Sequence, residues 1–367
     1  VIPFYDSAAA HARHAGAIDE RLQALYRHGK FILGPEVAEL ETALARFVGV
    51  PHAITVKSGT MALELALRAL DIGPGDEVIT TPFSWVSAAE AIALVGARPV
   101  FADVDPATFL LDPQRTADAI TPRTRALLPV SLFGQLPELE AFNDIAARHG
   151  LAVIEDGAQS FGATRHGKRS GAWTTIGTTS FFPTKPLGGY GDGGALFTSD
   201  DALAHELRAL RNHGSTRRGE HQRVGLNGRL DTLQAAVLLA KLPDFEASIA
   251  RRQHVASRYD AALATRVATP TVARGNTHLF AQYTLRLPSR DSARTHLANR
   301  GVETAVYYSR CLHQQPVFEG SSSAGSLQGA ERVAGEVLSL PCHGDLDETS
   351  QARIIAALLE CCRAPLP

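Results

Sequence analysis

The sequence predicts an α/β fold: a large domain with a mostly parallel sheet of about seven strands between helices, then a small C-terminal α+β domain. Seven short apolar, β-rich runs recur along the first two-thirds of the chain. Several are hydrophobic almost throughout, as strands buried on both faces are. Helical patterns lie between many of these runs, and strand–helix alternation builds a parallel sheet covered on both sides. The style then changes after a long helical pattern from Leu230 to about Leu263. That change predicts a large domain over residues 1–243 and a small one over 244–367.

The expected strands, in order, are HAITVKSG from His52, EVITTPF from Glu77, RPVFADV from Arg98, RALLPVSLFG from Arg125, LAVIEDG from Leu151, TTSFFP from Thr178 and GGALFTS from Gly193. GTMALELALRAL from Gly59 and SWVSAAEAIALVG from Ser84 carry apolar residues at helical spacing. PELEAFNDIAARHG from Pro137 does the same and stops on glycine, which tolerates the left-handed conformation that ends a helix. In the second domain HLFAQYTLRLPS and ETAVYYS read as strands. SARTHLANRG, LQGAERVAGEVLSL and DETSQARIIAALLECC read as helices, and the small, polar EGSSSAGSLQG as a loop. No internal repeat is visible.

Composition narrows the class. The chain has 367 residues, is 45% hydrophobic and carries a formal net charge of −2. It can bury a large core, and its charge gives no reason to expect nucleic acid or a polybasic membrane anchor. The four cysteines, Cys311, Cys342, Cys361 and Cys362, lack CxxC spacing, so neither a metal site nor a disulfide framework is expected. VIPFYDSAAAHARHAG has no basic segment followed by an apolar one, and no run reaches bilayer length. A soluble, cytoplasmic protein is the expectation.

Several strand ends carry groups suited to chemistry. VKSGTMALELAL passes from a strand through Ser58, Gly59 and Thr60 straight into a helix, where free N–H groups favour an anion; the two hydroxyls also suit plain capping. In FSWVSAAEA, Trp85 lies where a strand gives way to a helix, so it is either core or a platform for a flat ring. LAVIEDGAQ ends a buried strand on Glu155 and Asp156, followed by Gln159. The plain reading is two acids at a solvent end. The alternative is an aspartate in the ligand crevice at the carboxyl edge of the sheet, facing a cationic ring nitrogen.

SFFPTKPLGGYGDGG sets Lys185 between Pro183 and Pro186 ahead of five glycines. GYGDGG satisfies GxGxxG, but a strand pattern follows it, so there is no helix end to bind a dinucleotide pyrophosphate. The glycines read instead as a tight strand-to-strand turn. A phosphate site, an aromatic platform, an aspartate and a rigidly held lysine at the ends of strands in one sheet are the set that pyridoxal phosphate requires.

The ordered series FILGPEVAELE, SGTMAL, GPGDEVITTPFSWVSAAEA, VIEDGAQSFGA, TSFFPTKPLGGYGDGGALFT and GLNGRLDTLQAAVLLAKL resembles the fold-type-I, pyridoxal-phosphate-dependent nucleotide-sugar aminotransferases of the DegT/DnrJ family, over essentially the whole chain. The resemblance implies that Lys185 bonds to the cofactor, Asp156 pairs with its ring nitrogen and Trp85 stacks on the ring. It implies that Gly59, Thr60, Gln159 and Ser180 hold the phosphate and ring substituents. In the family a GxNxRLD segment reaches across a homodimer interface, which gives Asn227 a phosphate and Arg229 a substrate in the neighbouring subunit. Arg229 and the basic loop of Arg217, Arg218, His221 and Arg223 read equally well as solvated surface.

PVSLFGQ, SFFPTKPLG and RVGLNGRLDTLQAA are most similar to the branch that aminates UDP-2-acetamido-2-deoxy-3-oxo-glucuronate with L-glutamate for surface polysaccharide. Tyr308 and His313 match its sugar-site segment HYPxPLHxQP, here YYSRCLHQQP, whereas Tyr307, Ser309 and Cys311 depart from it. Three rivals remain at this stage: an aminotransferase for another UDP- or dTDP-linked keto sugar, a related dehydratase, and a non-catalytic nucleotide-sugar sensor. The dehydratase branch carries histidine in place of the lysine, and Lys185 argues against it.

Overall fold

The computed structural model describes residues 1–217, 219–323 and 325–362. Arg218 lies outside the described residues. Seven strands make the main sheet: β1 (His52–Val56), β2 (Glu77–Thr80), β3 (Arg98–Phe101), β4 (Thr124–Leu128), β5 (Ala152–Asp156), β6 (Ile176–Ser180) and β7 (Gly194–Thr198). Their order across the sheet is β1-β7-β6-β5-β4-β2-β3. The pairs β3–β2, β2–β4, β4–β5 and β5–β6 are parallel, while β7 runs antiparallel to both β1 and β6. A two-residue piece, Ser322–Ser323, adds to the outer edge of β3. It falls in EGSSSAGSLQG, which was expected to be loop throughout; it covers part of an otherwise open edge.

The strands bury both faces. Every residue of β2 and of β7 is buried. Consecutive side chains serve different cores, as a period of two requires. Val78, Leu128 and Ile154 pack with the helices Gly59–Ala69 and Ser87–Leu94, while Ile79, Leu127 and Val153 pack with helix Leu139–His149 on the other side. That last helix ends at Gly150 with φ 66°.

The long helical pattern after Leu230 is not one helix. It comprises Thr232–Lys241, a single 3-10 turn Leu242–Asp244, and Phe245–Leu263. Pro243 explains the break, because it has no N–H to donate to the preceding turn. The boundary expected at 243/244 falls in this turn.

A second core gathers Tyr259, Tyr283, Leu285, Leu297, Leu338, Ile354 and Leu358 around an antiparallel pair, β8 (Tyr283–Arg286) and β9 (Val337–Leu340). Two expectations change here. LQGAERVAGEVLSL is helical only over Gln328–Glu336, and its last four residues form β9, all buried. Pairing with β8 outweighs their helical spacing. ETAVYYS is not a strand: Ala305 makes one bridge to Ser339, and the chain then turns through Tyr307 and Tyr308. No helix among the described residues is long and apolar enough to cross a membrane.

Candidate active site

The carboxyl ends of β1, β5 and β6 lie along one edge of the sheet, where a ligand crevice forms in open α/β folds. Asp156 is the last residue of β5 and is 7% exposed. Its Oδ1 accepts from the N–H of Ala158 at 3.0 Å. Burial raises the proton affinity of this carboxylate; the Ala158 N–H and the charge of Lys185 oppose the rise. Glu155 points the other way and is fully buried. It accepts from Ser131 Oγ at 2.7 Å, Ser170 Oγ at 2.7 Å and Gly171 N–H at 2.8 Å. Two acids at a solvent end is therefore the wrong picture: both are buried, on opposite faces. Glu155 anchors the loops behind the strand and leaves Asp156 facing the crevice.

Gln159 follows one turn later. Its Oε1 accepts from the Phe133 N–H at 2.9 Å, and its Nε2 donates to the Tyr308 hydroxyl at 3.2 Å. Tyr308 in turn lies 6.4 Å, ring centre to ring centre, from Trp85. Trp85 itself is 59% exposed, so the core reading of it fails. Burial pushes the Tyr308 hydroxyl well above its usual range, so it stays protonated.

The start of helix Gly59–Ala69 supplies the anion end. Ser58 Oγ caps it by accepting from the Met61 N–H at 3.1 Å. Thr60 is free for another use: its hydroxyl sits 3.0 Å from that of Ser87, the first residue of helix Ser87–Leu94. No protein acceptor meets the N–H groups of Gly59 and Thr60 among the described residues. A Cβ on Gly59 would lie 2.7 Å from Cβ of Ser180, the end of β6, so only glycine leaves this notch open.

Lys185 sits in a loop tied down on several sides. Its own N–H donates to Phe182 O at 2.8 Å. Tyr5 Oη donates to Pro183 O at 3.1 Å, and Lys241 Nζ to Gly188 O at 2.8 Å. Burial lowers the proton affinity of the Lys185 amine, and the charge of Asp156 partly restores it. The glycines are not a tight turn, since residues 181–193 form a longer connection and none of these glycines has positive φ. They permit close approach. A Cβ on Gly188 would stand 2.2 Å from Pro183 O, and one on Gly194 would stand 2.6 Å from Ser58 O.

Asn227 and Arg229 lie beside the end of β1. Arg229 bridges to Val56, and Lys57 N–H donates to Gly228 O at 2.9 Å. Asn227 is exposed. Arg229 Nη1 donates to Asn212 Oδ1 at 2.8 Å, while its Nε is buried without an acceptor. Arg223 of the basic loop pairs with Glu206 at 2.8 Å and with Asp71, as a surface cation does. His313 pairs with Glu331 at 3.0 Å and lies next to Phe101. The neighbouring Leu312 N–H donates to Pro82 O at 2.7 Å, which ties this segment to the turn before Trp85.

These groups fit pyridoxal phosphate. Two unpartnered amides and two hydroxyls at helix starts suit the phosphate. A buried carboxylate suits a protonated ring nitrogen, and an amine weakened by burial suits bonding to a carbonyl carbon. Glu155 and Ser87 were missed from sequence. Period-two alternation signalled that Glu155 faces away from Asp156. SWVS, with serine where a helix begins, was the signal for Ser87.

Comparisons with known proteins agree. A model of the DegT/DnrJ/EryC1/StrS aminotransferase family matches residues 13–359. The chain is similar to the UDP-2-acetamido-2-deoxy-3-oxo-D-glucuronate aminotransferase of Pseudomonas aeruginosa, with 50% identity over 98% of this chain and 99% of that protein. Its fold is similar to that of DesV from S. venezuelae in complex with a ketimine intermediate, with a TM-score of 0.96, 39% identity and 99% of this chain covered. It is also similar to ntda from Bacillus subtilis with bound cofactor PMP, with a TM-score of 0.93 and 29% identity, over 99% of this chain and 85% of that one.

Proposed function

The chain belongs to the DegT/DnrJ/EryC1/StrS aminotransferase family as a pyridoxal-phosphate-dependent nucleotide-sugar aminotransferase, and we propose that it moves the amino group of L-glutamate to C3 of UDP-2-acetamido-2-deoxy-3-oxo-glucuronate. The product would serve surface polysaccharide (O-antigen) synthesis in the cytoplasm. The observation that carries this choice of sugar is the end-to-end similarity to the Pseudomonas aeruginosa enzyme.

Lys185, Asp156, Gly59, Thr60, Gln159, Ser180 and Trp85 would hold the cofactor, joined by Ser87. Bound, it supplies an electron-withdrawing ring that takes up the electron pair left when the donor's α-proton departs, and it carries the amino group between substrates. Asp156 would keep a proton on the ring nitrogen by opposite charge in a buried setting. The Lys185 amine, held toward its neutral form, would accept the donor's α-proton at Nζ and give it up again two atoms away, across the nitrogen being transferred. The fixed loop keeps Nζ within reach during both steps. The Gln159–Tyr308 hydrogen bond holds Tyr308 beside Trp85 on one side of the crevice.

Tyr308, His313 and Arg229 are assigned to the nucleotide sugar, and Asn227 to the cofactor phosphate, with Asn227 and Arg229 acting in the partner subunit of a homodimer. Exposed apolar side chains support such a dimer. Phe31, Ile32, Leu33 and Leu233 lie open next to this segment, and Thr232 N–H donates to Phe31 O at 3.0 Å.

A second reading, another UDP- or dTDP-linked keto sugar, is favoured by one feature. Cys311, buried in the main core, replaces a proline of the relatives' segment within the stretch assigned to the sugar. Nitrogen-15 glutamate given to the enzyme with a panel of UDP- and dTDP-keto sugars decides between them. The label is expected in the 3-amino UDP-uronate by mass spectrometry. Label only in a 4-amino or dTDP sugar would support the second reading, and label in none would overturn the function.

A further inference from the structure

A second cavity lies beside the lysine loop. Its wall includes Lys185 and Gly188 together with Arg13, Lys241, Arg251 and Arg252. Water centres can occupy about 60 Å³ of it, several times the ~10–15 Å³ that one water needs. An adjoining space shares Arg252 and reaches Thr184.

The cations here are unequally matched. Arg13 pairs with Asp345, and Arg251 with Asp244 at 2.6 Å. Arg252 has no such partner. It is 7% exposed, its Nη1 donates only to Cys342 O at 3.1 Å, and its Nε is buried without an acceptor. Lys241 Nζ has the Gly188 carbonyl and the face of Tyr190, 4.4 Å from the ring centre. Neither Arg252 nor Lys241 is paired with a carboxylate among the described residues. Burial alone lowers the Lys241 ammonium to about 8. Buried charges are costly unless a counter-ion meets them; the two carboxylates in this wall, Asp244 and Asp345, are paired with Arg251 and Arg13, and Asp345 reaches Arg252 only through its field.

We propose that this cavity binds a small dianion, a phosphate or a dicarboxylate, held by Arg252 and Lys241. Two unmatched cations call for two negative charges. A planar guanidinium fork beside a point-charge ammonium is a pairing that recognises phosphate and carboxylate oxygens. The proposal does not depend on which sugar or donor the enzyme uses.

The test is calorimetric titration of the cofactor-loaded enzyme with inorganic phosphate and, separately, with malonate, a dicarboxylate that has no keto group to take up nitrogen. Saturable binding of at least one is expected, and the tighter of the two identifies the source. Lys241→Met should weaken that binding about tenfold. Arg252→Gln should weaken it as well; should that variant fail to fold, Lys241→Met alone decides. Arg229→Gln, in the proposed sugar site, should leave the binding as it is. Binding that Lys241→Met does not alter, or no saturable binding of either anion, overturns the proposal. Neither result bears on amino transfer, which the labelled-glutamate experiment reads separately.

Discussion

Lys185 and Asp156 are coupled through opposite effects of the same burial. Desolvation raises the carboxylate and lowers the amine, and each charge opposes the shift of the other. A pair left to itself would drift toward neutrality; a cationic ring nitrogen placed at Asp156 reverses that for the acid. The amine, by contrast, is needed neutral. Lys185→Ala should therefore lower turnover by on the order of 10³-fold or more, because both covalent attachment and proton transfer depend on that one nitrogen. Cofactor binding should survive through the remaining contacts. Steady-state rates and cofactor content measure the two separately, and substantial activity in the variant would contradict the role.

At this scale the sequence was legible where chain order fixes geometry. A strand ending in Asp156, a helix opening at Gly59 and a lysine between prolines each announce their place locally. Glu155 was illegible as an anchor because its partners, Ser131, Ser170 and Gly171, come from two distant loops.

Among the elements, the lysine loop shows most clearly how packing replaces regular structure. Its glycines serve contact, and its carbonyls are held by Tyr5 and Lys241 from outside the sheet. Lys241 makes this support sensitive to pH. The folded-state value is lowered to about 8, against ~10.4 for an unfolded lysine. Below pH 8 the folded protein carries the full cost of the desolvated charge. Between these values the unfolded chain holds more protons, so stability rises with pH. Lys241→Met should flatten that rise: relative to wild type, its Tm should be most favourable near pH 7 and fall back toward pH 10, in buffer free of phosphate and dicarboxylates. A pH-independent difference would contradict the shift. The Tyr5 and Lys241 contacts could not be read from SFFPTKPLGG, since both partners are remote in sequence. Neither could β9, whose helical spacing was outweighed by pairing with β8, whereas Pro243 did print its helix break in the sequence.

For the whole molecule, the large α/β layer was readable because its strands are apolar throughout and regularly spaced by helices. The small domain was less so, its two short strands being defined by each other. In the proposed dimer, Lys185 of one subunit would work with Arg229 of the other. Mixing Lys185→Ala and Arg229→Gln proteins, unfolding and refolding them together, should then restore activity to about a quarter of wild type, because half of the dimers are mixed and each has one intact site. Activity staying at the level of the separate variants would place both residues in the same subunit's site.

Everything above depends on Lys185 being the amine that bonds to the cofactor. Borohydride reduction of the loaded enzyme fixes that bond, and peptide mass spectrometry locates it. The cofactor mass should appear on the peptide containing Pro183-Thr184-Lys185-Pro186 and on no other lysine. Its appearance on Lys241 or any other lysine, or on none, would contradict the assignment.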